Sequence, residues 1–294
     1  MSDSVSLDFA AYLNDRKSGF VGEYAGDRYA FSGDLELQRK MRNLAPLQLA
    51  ISSAVRLGKG MLAGDLLGKA IKVGPRQFPR IHQMVRHCAR TLGIAEPMVF
   101  IQGRTDVMNA MTTGTEKESV IIIHASTIDN MTEEELTFVI GHECGHIQNG
   151  HVVYLTTLSL LTRVASLMLG PLVQPALIAL QSWSRAAEIT CDRAGMLCAR
   201  DEHAATRAFS KLAIGSMSLF RQMNVEAFLS QLEEGREGYG RASELLQSHP
   251  YIPKRIKAVR LFTESETYRS PGGLAGGLAL RAVDEQVAEL VKVL

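Results

Sequence analysis

The chain has 294 residues, 46% of them hydrophobic and 21% charged, with 32 Lys and Arg against 31 Asp and Glu. That length supports one sizeable core with an appendage or two small domains, and the balanced charge without a basic block excludes a nucleic-acid partner. The start Met1-Ser2-Asp3-Ser4-Val5-Ser6 lacks the pattern of a secretory signal, so a cytoplasmic, reducing setting is expected, with Cys88, Cys144, Cys191 and Cys198 as free thiols.

Residues 1–35 show little periodicity and read as a loosely structured N-terminal arm. From Leu35 to about Arg56 the apolar residues recur at helical spacing, which predicts one helix. Leu67 to Val73 reads as a strand before a turn at Gly74-Pro75, and Phe78 to Leu92 as a helix that Gly93 ends. Three short β-like runs follow, Pro97 to Ile101, Val107 to Thr112 and Ser119 to His124. Thr132 then starts a new helix as N-cap, with Glu133, Glu134 and Glu135 at its positive end. That helix runs through Phe138, Val139 and Ile140 into His142.

From Val164 to Ser184 no residue is charged, a run as long as a membrane-spanning helix. Gly170, Pro171, Gln174, Pro175 and Gln181 interrupt it and predict a broken or re-entrant hairpin. Spanning is not expected; contact of 164–184 with a membrane surface stays open. Beyond Arg185 the pattern is helical. A flexible linker is expected at Ser270-Pro271-Gly272-Gly273 and Gly276-Gly277. In the last helix Leu280, Val283, Val287, Leu290 and Leu294 share one face, either packed on the main domain or open to a partner.

The chemistry concentrates in His142-Glu143-Cys144-Gly145-His146. On a helix, positions i and i+4 stand one above the other, so both imidazoles can reach one metal ion. Glu143 is rotated away from that line, where its carboxylate can activate a zinc-bound water without occupying a ligand position. A third ligand must come from elsewhere. Asn149 and Val152 stand where a metzincin has Gly and His, so that class is excluded. Glu188-Ile189-Thr190-Cys191-Asp192 is the better candidate: Glu188 as ligand, and Asp192 behind the metal accepting from the second nitrogen of a ligating histidine. The alternative for this segment is a solvated acidic pair flanked by Arg185 and Arg193.

With these motifs in order, the chain resembles the HtpX-like zinc metallopeptidases, a group that includes the type 1 CAAX prenyl proteases and the mitochondrial OMA-type proteases. The resemblance runs from roughly Leu67 to Leu261. It is carried by Gly74-Pro75-Arg76-Gln77-Phe78-Pro79, Asn109-Ala110-Met111-Thr112-Thr113-Gly114, the His142 to His146 string, Glu188 to Asp192, and Ser248-His249-Pro250 with Arg255. Met111 departs from the usual Phe. The resemblance implies a gluzincin, with His142, His146 and Glu188 on one zinc ion per chain and a protein or peptide substrate. It places Asn109 and Ala110 on a strand edge beside the cleft and His249 near the active site, where it would act catalytically on the oxyanion. His151 is taken as structural and turned from the metal. Cys144 and Cys191 are taken as buried thiols, and His82, His87, His124 and His203 get no role.

The expected fold is α+β, predominantly α-helical: a zincin-like metallopeptidase domain with a small sheet beside the zinc helix. The expected divisions are 1–66 as N-terminal arm and helix, 67–265 as catalytic domain, and 266–294 as linker and amphipathic helix. The expected function is zinc-dependent hydrolysis of internal peptide bonds. A weak or latent peptidase fold acting mainly in binding, chaperone-like or at a membrane surface, is the alternative. Oligomeric state is not legible.

Overall fold

A computed structural model describes residues 26–42, 47, 51, 68–114, 119–164, 170–234, 250–270 and 276–292. The molecule is α+β, with a four-stranded sheet set against a predominantly helical body. The strands are β1 (Ala70–Lys72), β2 (Met98–Gln102), β3 (Ala110–Gly114) and β4 (Ser119–His124), in the order β1-β2-β4-β3. β2 and β4 are parallel, and β1 and β3 flank them antiparallel. The expected strand at Val107 to Thr112 instead begins at Ala110. Val107 O is occupied by Ser126 Oγ and His124 Nδ1, at 2.6 and 2.9 Å, which holds that residue in the loop.

The helices in chain order are α1 (Ser32–Met41), α2 (Pro79–Leu92), α3 (Ala125–Asn130), α4 (Glu133–Gln148), α5 (Val152–Val164), α6 (Gly170–Ala199) and α7 (Glu202–Ile214). They continue as α8 (Met217–Phe220), α9 (Val225–Glu234), α10 (Ile252–Thr263), α11 (Glu266–Arg269) and α12 (Leu280–Val291). Gly93 ends α2 as expected, with φ 65°. Alternation along β2 and β4 turns Val99, Ile101, Ile121 and Ile123 onto the helices. There they join Val85 and Leu92 of α2 and Leu136, Val139 and Ile140 of α4 in the main core.

Three expectations need correction. Residues 26–35 are not loose: Tyr29, Phe31 and Asp34 are buried, and α1 starts at Ser32 rather than Leu35. Tyr29 and Phe31 bury without helical spacing because the chain enters through a 3-10 turn at Gly26–Arg28, so periodicity missed them. Residues 1–25 and most of 43–67 lie outside the described residues.

The apolar run is not broken at its prolines either, since α6 passes through both Pro171 and Pro175. Pro171 falls in the first turn, where no N–H is needed, and exposed Pro175 removes a single ladder bond near the helix start. Residues 165–169 lie outside the described residues. Leu177, Leu180 and Trp183 pack on Val153, Leu158 and Leu161 of α5, so their apolarity serves a core. Among the described residues no helix is long and apolar enough to cross a membrane.

Finally, residues 276–279 are docked rather than free. Glu266 N donates to Leu278 O and Leu278 N to Glu264 O, both at 2.9 Å. A Cβ on Gly277 would sit 2.6 Å from Glu266 N, which is why glycine is needed there. The final helix packs inward, with Val283 and Val287 fully buried.

Candidate active site

α4 begins with a complete capping box: Thr132 Oγ1 accepts from Glu135 N and Glu135 Oε2 accepts from Thr132 N, at 3.3 and 3.0 Å. It lies against α6 at close range because Gly141, Gly145 and Gly195 line the contact. A Cβ on any of the three would meet a neighbouring atom at 2.7 Å. Two helices far apart in sequence thereby bring their polar faces together.

His142 Nε2 lies 3.5 Å from Glu188 Oε2, and His146 Nε2 lies 3.6 Å from Glu188 Oε1. One ligand atom from each residue lies within 4.8 Å of the others. Tetrahedral ligands about 2.0–2.1 Å from a zinc ion stand about 3.4 Å from one another, so this donor set fits such an ion. The acidic pair is not solvated: Glu188 and Asp192 are 2% and 1% exposed. Arg193 leaves the site and binds Asp284 Oδ1 and Tyr29 O, at 2.7 and 3.0 Å.

The outer nitrogens are held. His142 Nδ1 lies 2.9 Å from Asp192 Oδ1. Arg255 donates to both Asp192 oxygens, at 2.9 and 2.6 Å, and its other amino group lies 2.9 Å from Glu188 Oε2. Burial alone would lower the pKa of His142, but the Glu188 and Asp192 carboxylates outweigh it and raise it. Arg255, buried against the same two carboxylates, is held firmly in its charged form. Arg255 belongs to one of the sequence motifs, yet nothing local in α10 says that its guanidinium ends between Glu188 and Asp192.

Glu143 is buried beside the edge strand, and the Thr112 hydroxyl donates to its Oε2 at 2.6 Å. Thr112 was also missed. It points inward from β3 while Met111, 40% exposed, points out. Asn109 and Ala110 stand where β3 begins. Asn109 N donates to Thr127 Oγ1 at 2.8 Å, and Asn109 O accepts from His124 N at 3.0 Å. Among the described residues β3 is the terminal strand of the sheet and adjoins Glu143 through Thr112; Ala110 is its first residue, and Asn109 precedes it with both its N and its O already bonded. His249 lies outside the described residues.

His151 stands on the outer side of His146, its Nδ1 3.2 Å from His146 Nδ1 and away from the Nε2 that faces Glu188. Gly150, with φ 70°, ends α4 and lets the chain fold back so that His151 N donates to His146 O at 2.9 Å. The returned ring stands 5.4 Å from that of His146, centroid to centroid. Cys144 and Cys191 are buried free thiols, as expected, and burial pushes both toward the protonated form.

A family model described as peptidase family M48 matches residues 75–262, more than half of the chain. The chain belongs to peptidase family M48. It is similar to a protein named plastoglobule-localized metallopeptidase 48, chloroplastic, from Arabidopsis thaliana. The two are 32% identical over 247 residues, covering 75% of this chain and 70% of that one. A protease HtpX homolog from Thermoanaerobacter pseudethanolicus is 25% identical over 232 residues, covering 66% of this chain and 75% of its own. Protease HtpX of Haemophilus ducreyi is 28% identical over 206 residues, covering 60% and 70%. No solved structure matches the chain. The M48 chain is thus an HtpX-like metallopeptidase, a hydrolase of peptide bonds, and α1 and α12 lie outside the span of the family model.

Proposed function

We propose that this M48 member is a zinc-dependent endopeptidase that binds an extended protein or peptide segment along β3 and cleaves it at an internal bond. The observation that carries the reading is the pair of Nε2 atoms facing the two oxygens of one buried carboxylate, at 3.5 and 3.6 Å. His142, His146 and Glu188 would hold one ion per chain. Zinc, when bound, supplies a Lewis acid that polarises the scissile carbonyl and lets water ionise near neutral pH.

The remaining steps belong to side chains. Glu143 takes a proton from the attacking water and returns it to the leaving amine. Thr112 fixes the rotation of that carboxylate through its 2.6 Å hydrogen bond. Asp192, clamped by Arg255, orients His142. Asn109 and Ala110 open the edge strand on which substrate main chain would pair, which gives affinity with little side-chain demand.

The test combines metal content with hydrolysis of an unstructured protein such as casein. Wild type and Glu143→Gln should each take up about one zinc per chain, and Glu188→Ala should take up far less. Glu143→Gln should lose roughly 10²- to 10⁴-fold in rate. A folded wild type that takes up no zinc, or a fully active Glu143→Gln, overturns the proposal.

A further inference from the structure

The two imidazoles facing Glu188 are held from behind in different ways. His142 has the Asp192 carboxylate directly. His146 Nδ1 instead meets His151 Nδ1 at 3.2 Å and Cys191 Sγ at 3.2 Å. Two ring nitrogens at that distance share one proton, so one ring presents N–H and the other a lone pair.

The metal reading above, on which this inference rests, decides which. With Nε2 of His146 given to the ion, its proton sits on Nδ1 and points at His151. His151 Nδ1 is then the acceptor, and the proton of that ring sits on Nε2. That atom lies 3.1 Å from Asp34 Oδ2, and both residues are fully inaccessible to solvent. His151 Nε2 makes no aligned hydrogen bond in this geometry, so what holds it to the oxygen is the attraction of a ring N–H dipole to a buried carboxylate at 3.1 Å. Asp34 is itself fixed from other sides. Trp183 Nε1 and Gln38 Nε2 donate to its Oδ1 at 2.9 and 3.2 Å, and Thr190 Oγ1 donates to its Oδ2 at 2.7 Å.

We propose that Asp34 is a positioning residue of the metal centre, acting through His151: the carboxylate sets the tautomer of His151, which sets the ring of His146 toward the ion. The consequence reaches beyond the site. Asp34 stands on α1, before the family match begins at residue 75. α1 is pinned to α6 and α12 by Phe31 N donating to Thr190 Oγ1 at 3.1 Å and Ser32 N donating to Asp284 Oδ2 at 3.0 Å. Metal affinity therefore depends on a helix that lies outside the family region.

A rival use of the same atoms exists. His146 Nδ1, His151 Nδ1 and Cys191 Sγ are close enough to hold an ion of their own. His146 would then have to surrender both ring protons, which the relay does not require.

Zinc affinity is to be measured by competition with a chelating dye for wild type, Asp34→Asn, His151→Gln and the double variant, with folding checked by circular dichroism. Each single change should weaken zinc binding about 10- to 100-fold. The double should bind no more weakly than the weaker single, because one chain of contacts is cut only once. Additive losses, or unchanged affinity in Asp34→Asn, overturn the proposal while leaving the zinc site intact. Since the variants are buried and can fail to fold, zinc-loaded wild type labelled with ¹⁵N at histidine supplies a second reading. His146 should carry its proton on Nδ1 and His151 on Nε2. A proton on His151 Nδ1, or a second ion per chain, sinks the relay alone; a wild type that takes up no zinc sinks the metal reading and the relay together.

Discussion

Replacing Gly145 with alanine places a methyl group between the two helices that carry the candidate ligands. The new Cβ would lie 2.7 Å from Ala194 Cβ and 3.1 Å from Cys191 Cα. Ordinary contact begins at 3.4 Å, so the facing helix must give by about 0.7 Å. Both neighbours belong to the body of α6, where no rotamer change relieves the clash. Alanine is favoured over glycine inside a helix by about 1 kcal/mol, whereas overpacking costs about 1–3 kcal/mol, so the net loss is about 0–2 kcal/mol. In a chain of this size that lowers Tm by a few degrees, about 2–4 °C per kcal/mol. The larger effect falls on metal binding. A workable zinc site tolerates about 0.2 Å in ligand distance, and a shift of the size needed here moves Glu188 relative to both imidazoles. Gly145→Ala should therefore lose far more in zinc affinity than in stability, and Ala194→Gly in the same chain should restore part of both. Thermal unfolding and zinc competition on wild type and the two variants check this. A Gly145→Ala protein that melts higher than wild type and binds zinc equally well would show that the close approach of α4 and α6 does not set the site.

Arg255→Met removes the cation shared by Glu188 and Asp192. Breaking a buried pair in this way costs about 3–5 kcal/mol, and the loss should shrink when zinc supplies the missing positive charge. Equal Tm losses with and without zinc would rule that account out. Farther along α4, buried Glu135 is held by Lys211 and Arg207 at 2.6 and 2.7 Å. Burial opposes its ionisation, yet these partners and Thr132 N bring its pKa below the usual carboxylate value. Because the folded pKa is the lower one, the stabilisation is complete above the unfolded value of about 4.3 and is lost as pH falls through the folded value. Urea unfolding should therefore show Lys211→Met well below wild type at neutral pH, with the gap closing in acid; a gap that widens in acid contradicts the sign.

Much of the site could be read from short stretches. The i, i+4 spacing of His142 and His146, the intervening Glu143 and the capping box at Thr132 are decided within one helix, where backbone periodicity sets which side chains stand together. Glu188 and Asp192 were found by the same rule applied to a second helix. What escaped were groups whose role depends on a distant element: Arg255 from α10, Thr112 from an edge strand, and Asp34 from a helix that begins at Ser32.

Local sequence thus determined the chemistry on offer, namely two imidazoles on one α4 face with a carboxylate rotated to the side of them, and two carboxylates on one α6 face. It also determined the strands of the small sheet to within a few residues. Only the tertiary structure decided that these faces meet, through three glycines that let α4 and α6 approach. It also decided that Pro171 and Pro175 lie inside a helix, and that the ring of His151 turns back onto His146 over Gly150. The reason is physical. Helical spacing is a property of one segment, whereas the pairing of a buried charge is settled by whichever segments exclude water around it.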